Sequence, residues 1–415
     1  MTAGFASFLD ELRWRGFLEQ CTDEAGLAAR LAQGPLTAYT GFDPTADSLH
    51  IGSLVPIMGL VHLQRWGHRP IAIVGGATAM VGDPSGKTEL RTMLTPGQIT
   101  ANLAGISAQL GHYLRFGDGA GDALMLDNAD WLRGYGYIEF LRDVGRHFSV
   151  NQMLTRDSVK TRLEVGLSFI EFNYMILQAY DFAVVNRDHG CELQMGGSDQ
   201  WGNICSGIDL CRRVNRSEVF GLTFPLISTA AGEKMGKTAA GAVWLAAERT
   251  SVFDFHQYWV NVDDRDVSRF LRMYTLLPRP EIEALEKLEG ADVRQAKRVL
   301  AREVTALLHG AEAADEAERA AAALFAGAAD ESAVPSSERP AADFAGDGLP
   351  LLEALVDGGL VTSRGEARRL VRQGGVRVNG EAVGDELRAL TMADVQSGRI
   401  ALQVGRKKHH HLRVT

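Results

Sequence analysis

Short unbroken apolar runs alternate with longer amphipathic stretches along roughly the first half of the chain. Residues 36–42 read as a strand and 52–66 as a helix. Pro70 to Val74 is a continuous apolar run, as expected for a strand buried on both faces. Thr95 and Pro96 open the next helix, with Thr95 as N-cap and proline at the first helical position. Residues 123–126 form another buried strand, which ends in Asp127-Asn128-Ala129-Asp130-Trp131. Ser168 and Glu171 have capping-box spacing, and a helix follows to about Asn186. Strands at 193–195 and 222–227 complete the series. Strands alternating with helices predict an α/β fold with a parallel sheet, which binds ligands at the carboxyl ends of its strands.

From Val252 to about Phe325 the pattern is helical throughout, with Val299, Leu300, Val304, Leu307 and Leu308 on a 3.6-residue period. Residues 327–348 are rich in Ala, Ser, Pro, Asp and Gly without periodicity and read as a linker. After them Ser363 and Glu366 have capping-box spacing, and the helix stops at Gly374-Gly375. Arg364, Arg368 and Arg372 share one face of that helix, and Ala367, Leu370 and Val371 face the core. Val376 to Glu381 reads as a strand with a tight Asn379-Gly380 turn. The expected plan is a Rossmann-like parallel-sheet α/β domain (1–228), an α-helical domain entered through a lysine loop (229–326), a linker (327–348) and a small α+β domain (349–415).

Charge changes this picture. The 415 residues carry a net charge of −9, unevenly spread. From Leu349 onward there are 11 Lys and Arg against 7 Asp and Glu, a net +4, while the remainder carries −13. A basic tail on an acidic body points to a nucleic-acid contact, and the arginine stripe is a plausible RNA platform because arginine grips phosphates bidentately. No run of about 18 apolar residues spans a membrane. The first 20 residues, with Asp10, Glu11, Arg13 and Arg15 among apolar neighbours, do not read as a signal peptide. Cys21, Cys191, Cys205 and Cys211 form no C-x-x-C pair, so no zinc or disulfide framework is expected, and the cytoplasm is the default compartment.

Two loops carry the strongest chemistry. Gly41 to Thr45 followed by His50-Ile51-Gly52-Ser53 sits at the start of a helix, where unpaired N–H groups and the dipole favour phosphate. Lys234-Met235-Gly236-Lys237-Thr238 lies roughly 180 residues further on and places two lysines on a glycine loop. Gly82 to Thr88 looks like a P-loop, but Val81 stands where that motif needs glycine. Asp83 remains a candidate for a substrate ammonium, and Lys87 and Arg91 for phosphate. Tyr174, Gln178 and Asp181 share a helix face among apolar residues, and buried polar groups need partners: either an internal network or a polar substrate. Gly196 to Asn203 leaves a strand for a helix, which places Asp199 and Gln200 for ribose hydroxyls or a carboxylate.

On Tyr39–Gly52, Gly75–Arg91, Tyr174–Asp181, Gln194–Asn203 and Lys234–Thr238, the chain resembles bacterial tyrosyl-tRNA synthetases, class I aminoacyl-tRNA synthetases. Its C-terminal segment resembles a small RNA-binding domain shared with a ribosomal protein. The resemblance implies activation of L-tyrosine with ATP, brought as the Mg²⁺ complex, and transfer to the terminal adenosine of tRNA(Tyr). It implies that Tyr39 and Asp181 read the tyrosine hydroxyl, and that Asp83, Tyr174 and Gln178 bind its ammonium. Asp43 and Gln200 would place the amino acid and the α-phosphate, and Asn128 would join the substrate network. Thr40, Gly41, His50, Gly52, Ser53, Gly197 and Asp199 would serve ATP. Lys87, Arg91, Lys234, Lys237 and Thr238 would hold the departing pyrophosphate. Arg364, Arg368 and Arg372 would meet RNA, no metal site is implied, and a cytoplasmic homodimer is expected, each tRNA touching both subunits.

Ser53 replaces the last histidine of the usual His-Ile-Gly-His motif, and Thr40 stands where many relatives carry Cys. His409-His410-His411 reads as part of a basic, RNA-facing tail. A tryptophanyl enzyme should lack the Tyr39 and Asp181 pair and the C-terminal domain. A non-catalytic RNA-binding relative should have lost His50, Lys234 or Lys237.

Overall fold

The structure, a computed structural model, describes residues 4–85, 94–156, 159–160, 163, 166–232, 235–238, 241–325, 334–346, 348–396, 398–405 and 408–415. Lys87, Arg91 and Lys234 lie outside them, and Lys237 and Thr238 are described as strand backbone. The chain divides into two compact units, residues 1–315 and 316–415.

The first unit is built on six strands: β1 (Gln20–Cys21), β2 (Thr37–Phe42), β3 (Arg69–Val74), β4 (Leu124–Asp127), β5 (Cys191–Gly197) and β6 (Phe220–Phe224). Their order is β1-β6-β5-β2-β3-β4, and all neighbours are parallel except β1 with β6. The chain runs outward from β2 to β4 and then returns to the other side of β2. The junction of β2 and β5 is therefore the switch point, where such sheets open a crevice at their carboxyl ends.

Alternation along the strands explains the two covered faces. Tyr39, Ile71 and Ile73 pack with Met175, Ala179 and Phe182 on one side of the sheet. Ala38, Ala72 and Val74 pack with Leu54, Met58 and Leu110 on the other. The main helices are α1 (Phe8–Arg15), α2 (Leu54–Arg65), α3 (Pro96–Tyr113), α4 (Phe169–His189), α5 (Trp201–Val214), α6 (Val252–Val260), α7 (Val267–Tyr274) and α8 (Val293–His309). The predicted capping box of Ser168 with Glu171 forms ahead of α4, and the predicted N-cap Thr95 ahead of α3 forms a capping box with Gln98. Phe255, Trp259, Phe270 and Leu300 from α6, α7 and α8 join the same core as Leu54 and Met58. Helices α6, α7 and α8 therefore share a core with the sheet layer.

One buried cluster ties the N-terminus to this helical layer. Arg15 Nε donates to Glu11 at 2.7 Å, and the remaining guanidinium nitrogens donate to the carbonyls of Arg272, Thr275 and Leu277 at 2.8–3.0 Å. Trp66 Nε1 donates to the other Glu11 oxygen at 2.6 Å. Burial opposes ionisation of Glu11, but bonds and charge from His62, Trp66 and Arg15 outweigh it and hold its carboxyl down at about 2.

The second unit carries β7 (Ser336–Arg339), α9 (Leu351–Asp357), α10 (Arg364–Arg372), β8 (Val376–Val378), β9 (Glu381–Val383), β10 (Arg399–Val404) and β11 (Lys408–Val414). The strand order is β9-β8-β10-β11-β7, with β7 parallel to β11 and the other pairs antiparallel. Its core gathers Phe344, Leu351, Leu355, Val371, Ile400 and Leu412. Asn379 and Gly380 take φ of 48° and 84°, as a tight hairpin turn requires.

Three expectations change here. The stretch read as a linker contributes β7 and the buried Phe344 to this unit; a four-residue edge strand of Ser-Ser-Glu-Arg carries no apolar signal to betray it. Ser363 caps α10, but the Glu366 carboxylate turns to Thr362 N–H and hydroxyl rather than to Ser363. His410 and His411 are buried within β11, where alternation and the edge pairing with β7 enclose them, so they are not an exposed basic tail.

Candidate active site

At the switch point lies a cavity of about 220 Å³. β2 contributes Tyr39 to Phe42, β5 contributes Gln194 to Gly197, and α4 contributes Tyr174, Gln178 and Asp181. The i, i+4, i+7 face of α4 thus points into the cavity, which explains polar residues at core spacing. Asp43, Asp83, Asn128 and Gln200 complete the polar lining.

Asp181 is buried and accepts from Asn128 Nδ2 at 3.0 Å and Trp131 Nε1 at 2.8 Å. Burial pushes its carboxyl up to about 7, assisted by the charges of Asp43 and Asp127 and opposed by those two hydrogen bonds. Tyr39 is buried and its hydroxyl has no partner among the described residues. Burial, and then the charge of Asp181, raise its phenol well above the ordinary value, so it stays a neutral donor. Gln194, opposite Tyr39 in the β2–β5 register, also buries an unpartnered carbonyl oxygen.

At the other end, Asp43 accepts from Tyr174 Oη at 3.1 Å and Thr78 Oγ1 at 3.2 Å. Thr78 in turn accepts from Asn128 at 2.9 Å. Asp83 accepts from Gln200 Nε2 at 2.7 Å, and Asn203 donates to both Gln178 and Gln200. One connected network therefore links the carboxylates of Asp43 and Asp181, and a second links Asp83 to Gln178.

A wider cavity of about 620 Å³ adjoins the first and shares Gly41, Asp43, Pro56 and Gly197 with it. His50, Gly52, Ser53, Asp199, Met235 and Trp244 line it. A Cβ at Gly41 would meet no protein atom, so its Cα opens onto the cavity. Thr40, grouped with the nucleotide residues by resemblance, lines the smaller cavity instead.

The two signature loops meet here. Ile51 N–H donates to Val243 O at 3.0 Å, and Val243 N–H donates to Gly236 O at 3.0 Å. A Cβ on Gly52 would sit 2.7 Å from His50 Cε1 and 3.2 Å from the Met235 carbonyl. One on Gly236, at φ 85°, would sit 2.9 Å from Ile51. Only glycine permits that approach. His50 Nδ1 accepts from Gly52 N–H at 3.0 Å, so a neutral ring carries its proton on Nε2.

Two comparisons decide the family. Residues 31–326 match the model for tRNA synthetases class I (W and Y), and residues 331–412 match that for the tyrosine–tRNA ligase SYY-like C-terminal domain. The tyrosine–tRNA ligase of Rhodospirillum rubrum is 54% identical over 416 residues, covering 100% of this chain and 99% of the relative. The chain belongs to the tyrosine–tRNA ligases. The ligase of Rhizobium meliloti is 54% identical over 97% of both chains. The structure of a C-terminally truncated mitochondrial tyrosyl-tRNA synthetase from Aspergillus nidulans superposes with a TM-score of 0.70 at 31% identity, covering 78% of this chain and 95% of that one. A tryptophanyl-tRNA synthetase from Encephalitozoon cuniculi, at 12% identity and TM-score 0.53, covers 74% of this chain and 87% of its own and shares the fold alone. As a member of this class I ligase family, the protein charges tRNA(Tyr) with tyrosine at the expense of ATP.

Sequence reasoning missed Trp131, Thr78, Gln194, Asn203 and Trp244. Trp131 was within reach: it lies three residues after Asn128, on the same helical turn, and both donate to Asp181. In the second unit Arg364, Arg368 and Arg372 are exposed as expected. Each is ion-paired, Arg364 with Glu353, and Arg368 and Arg372 with Glu386 at 3.6 and 2.8 Å. The acids lie outside the helix, so helical spacing alone did not reveal them.

Proposed function

We propose that the smaller cavity holds tyrosine and the wider one ATP, so that carboxylate and α-phosphorus meet at their shared wall of Gly41, Asp43 and Gly197. The unpartnered Tyr39 hydroxyl, in the cavity that Asp181 also lines, carries this reading. A bound phenol accepts from Tyr39 and donates to Asp181. Phenylalanine leaves the buried Tyr39 hydroxyl without a partner and offers Asp181 no phenol donor beyond Asn128 and Trp131, which is costly in a buried site. Asp83, Tyr174 and Gln178 take the ammonium, and Asp43 and Gln200 help place the amino acid and the α-phosphate.

The tyrosine carboxylate is ionised at neutral pH and attacks without a general base. Pyrophosphate leaves, and rate comes from alignment and from cations on the developing charge. ATP enters as its Mg²⁺ complex. His50 Nε2–H donates to the phosphates, Gly52 lets the nucleotide pack closely, and Asp199 takes the ribose. Ser53 offers a hydroxyl where a second histidine is usual. Lys87, Arg91, Lys234, Lys237 and Thr238 hold the pyrophosphate; the approach of the Met235–Gly236 backbone to Gly52 supports bringing that loop to the nucleotide.

The unit after residue 316 serves as the RNA-binding domain, its arginine face releasing Glu353 and Glu386 for phosphate. We also propose a cytoplasmic homodimer. Among the described residues, eight of thirteen exposed large apolar side chains fall between residues 137 and 170, Ile138 and Phe169 among them, a concentration that calls for a second copy. Amino-acid-dependent pyrophosphate exchange tests the core reading: tyrosine supports exchange and tryptophan and phenylalanine do not. Exchange with tryptophan in place of tyrosine overturns it.

A further inference from the structure

The nucleotide cavity contains an aromatic residue that the proposed chemistry does not use. Trp244 lines it together with His50. The two rings meet edge-to-face, with centroids 6.2 Å apart and planes at 71°. Their backbones form an isolated antiparallel bridge. The guanidinium of Arg249 lies 4.1 Å from the Trp244 ring centroid, and its Nε pairs with Asp47 Oδ1 at 2.9 Å. Trp244 N–H donates to Thr250 Oγ1 at 3.0 Å, which fixes the turn that carries Arg249. Residues 244–250 therefore clasp residues 47–50 through the ring contact, the ion pair and hydrogen bonds from Leu245 N–H to Leu49 O at 2.8 Å and from Ala246 N–H to Ser48 Oγ at 3.1 Å.

His50 is exposed, and an exposed side chain keeps its rotamers unless something restrains them. Its Nδ1 accepts from Gly52 N–H at 3.0 Å, which fixes one ring edge, and the Trp244 edge-to-face contact bears on the plane of the ring. The Trp244 ring edge limits the orientations open to the imidazole. Arg249, stacked on Trp244, stops the indole from giving way. The Asp47–Arg249 pair is solvent-exposed and adds little stability by itself; its value is in placing the guanidinium over the ring.

We propose that Trp244, backed by Arg249, is a positioning residue for His50 in adenylate formation. It holds the imidazole so that Nε2–H faces the phosphates, and it touches no reacting atom. This rests on the reading of His50 given above.

A double-mutant cycle tests it, read by single-turnover adenylate formation and by tyrosine affinity. His50→Ala slows the reaction. Trp244→Ala slows it about tenfold in the native background, within the range for coupled neighbours, and leaves tyrosine affinity unchanged. In the His50→Ala background the same substitution changes the rate less than about twofold. Trp244→Phe, which keeps an aromatic edge, restores most of the rate. If Trp244→Ala fails to fold, Arg249→Met, on a partly exposed side chain, enters the same cycle and must show the same dependence on His50. Equal slowing with and without His50 overturns the inference and leaves the His50 reading standing. A His50→Ala enzyme of native rate overturns both.

Discussion

Replacing Asp181 with Asn keeps the shape of the phenol pocket and removes its acceptor charge. The wild-type carboxyl sits at about 7, chiefly because it is buried. About one tenth of molecules therefore carry the carboxylate at pH 6 and about nine tenths at pH 8. A phenol bonds more strongly to the ionised form, so the preference for tyrosine over phenylalanine rises up to about tenfold across those two pH units. Phenylalanine shares the ammonium and carboxylate, so their titration cancels in the ratio. Asp181→Asn loses a charge-assisted bond of about 1.5–3 kcal/mol, a roughly ten- to hundredfold weaker tyrosine complex, and its preference is flat with pH. Stability moves oppositely. The folded carboxyl titrates above its ordinary 3.8, so the folded chain holds a proton that the unfolded chain has released between about pH 4 and 7. The ionised group costs stability increasingly over that window, and Asp181→Asn melts higher than wild type at pH 8 but not at pH 4. Equilibrium binding of both amino acids, with thermal melts, gives both profiles. A flat wild-type preference, or a slope that survives in Asp181→Asn, refutes the reasoning.

Gly52→Ala puts a methyl 2.7 Å from His50 Cε1, and a shift of about 1 Å in that ring slows adenylate formation by about a hundredfold while tyrosine affinity holds, as stopped-flow measurement will show. Lys237→Ala lowers the adenylation rate far more than tyrosine affinity, the mark of a contact made in the transition state. Glu11→Ala strands the buried Arg15 and costs about 3–5 kcal/mol in denaturant unfolding. Because the Glu11 carboxyl is held below its ordinary value, the wild-type advantage is full above about pH 4.5 and fades as pH falls toward 2. Phe169→Glu or Ile138→Glu, on exposed positions, shifts the particle toward half its mass in sedimentation without unfolding it.

Where local chemistry decides structure, the sequence was readable. The N-cap at Thr95, the capping box at Ser168, the Asn379-Gly380 turn and the apolar runs of β2 to β5 each formed, because each depends on residues a few positions apart. The α4 face of Tyr174, Gln178 and Asp181 was readable for the same reason. Partners supplied from distant segments were not. Trp244 is an ordinary aromatic until the fold brings it to His50. Glu386 neutralises two arginines from beyond the hairpin, and β7 is too short and polar to stand out.

The most direct measurement is a crystal structure of the full chain with a non-hydrolysable tyrosyl-adenylate analogue. The account predicts the phenolic oxygen within hydrogen-bond distance of both Tyr39 Oη and Asp181, with the adenylate phosphate beside His50 Nε2. A phenol turned away from Asp181, or a nucleotide seated outside the cavity lined by Gly41, His50 and Gly52, contradicts it.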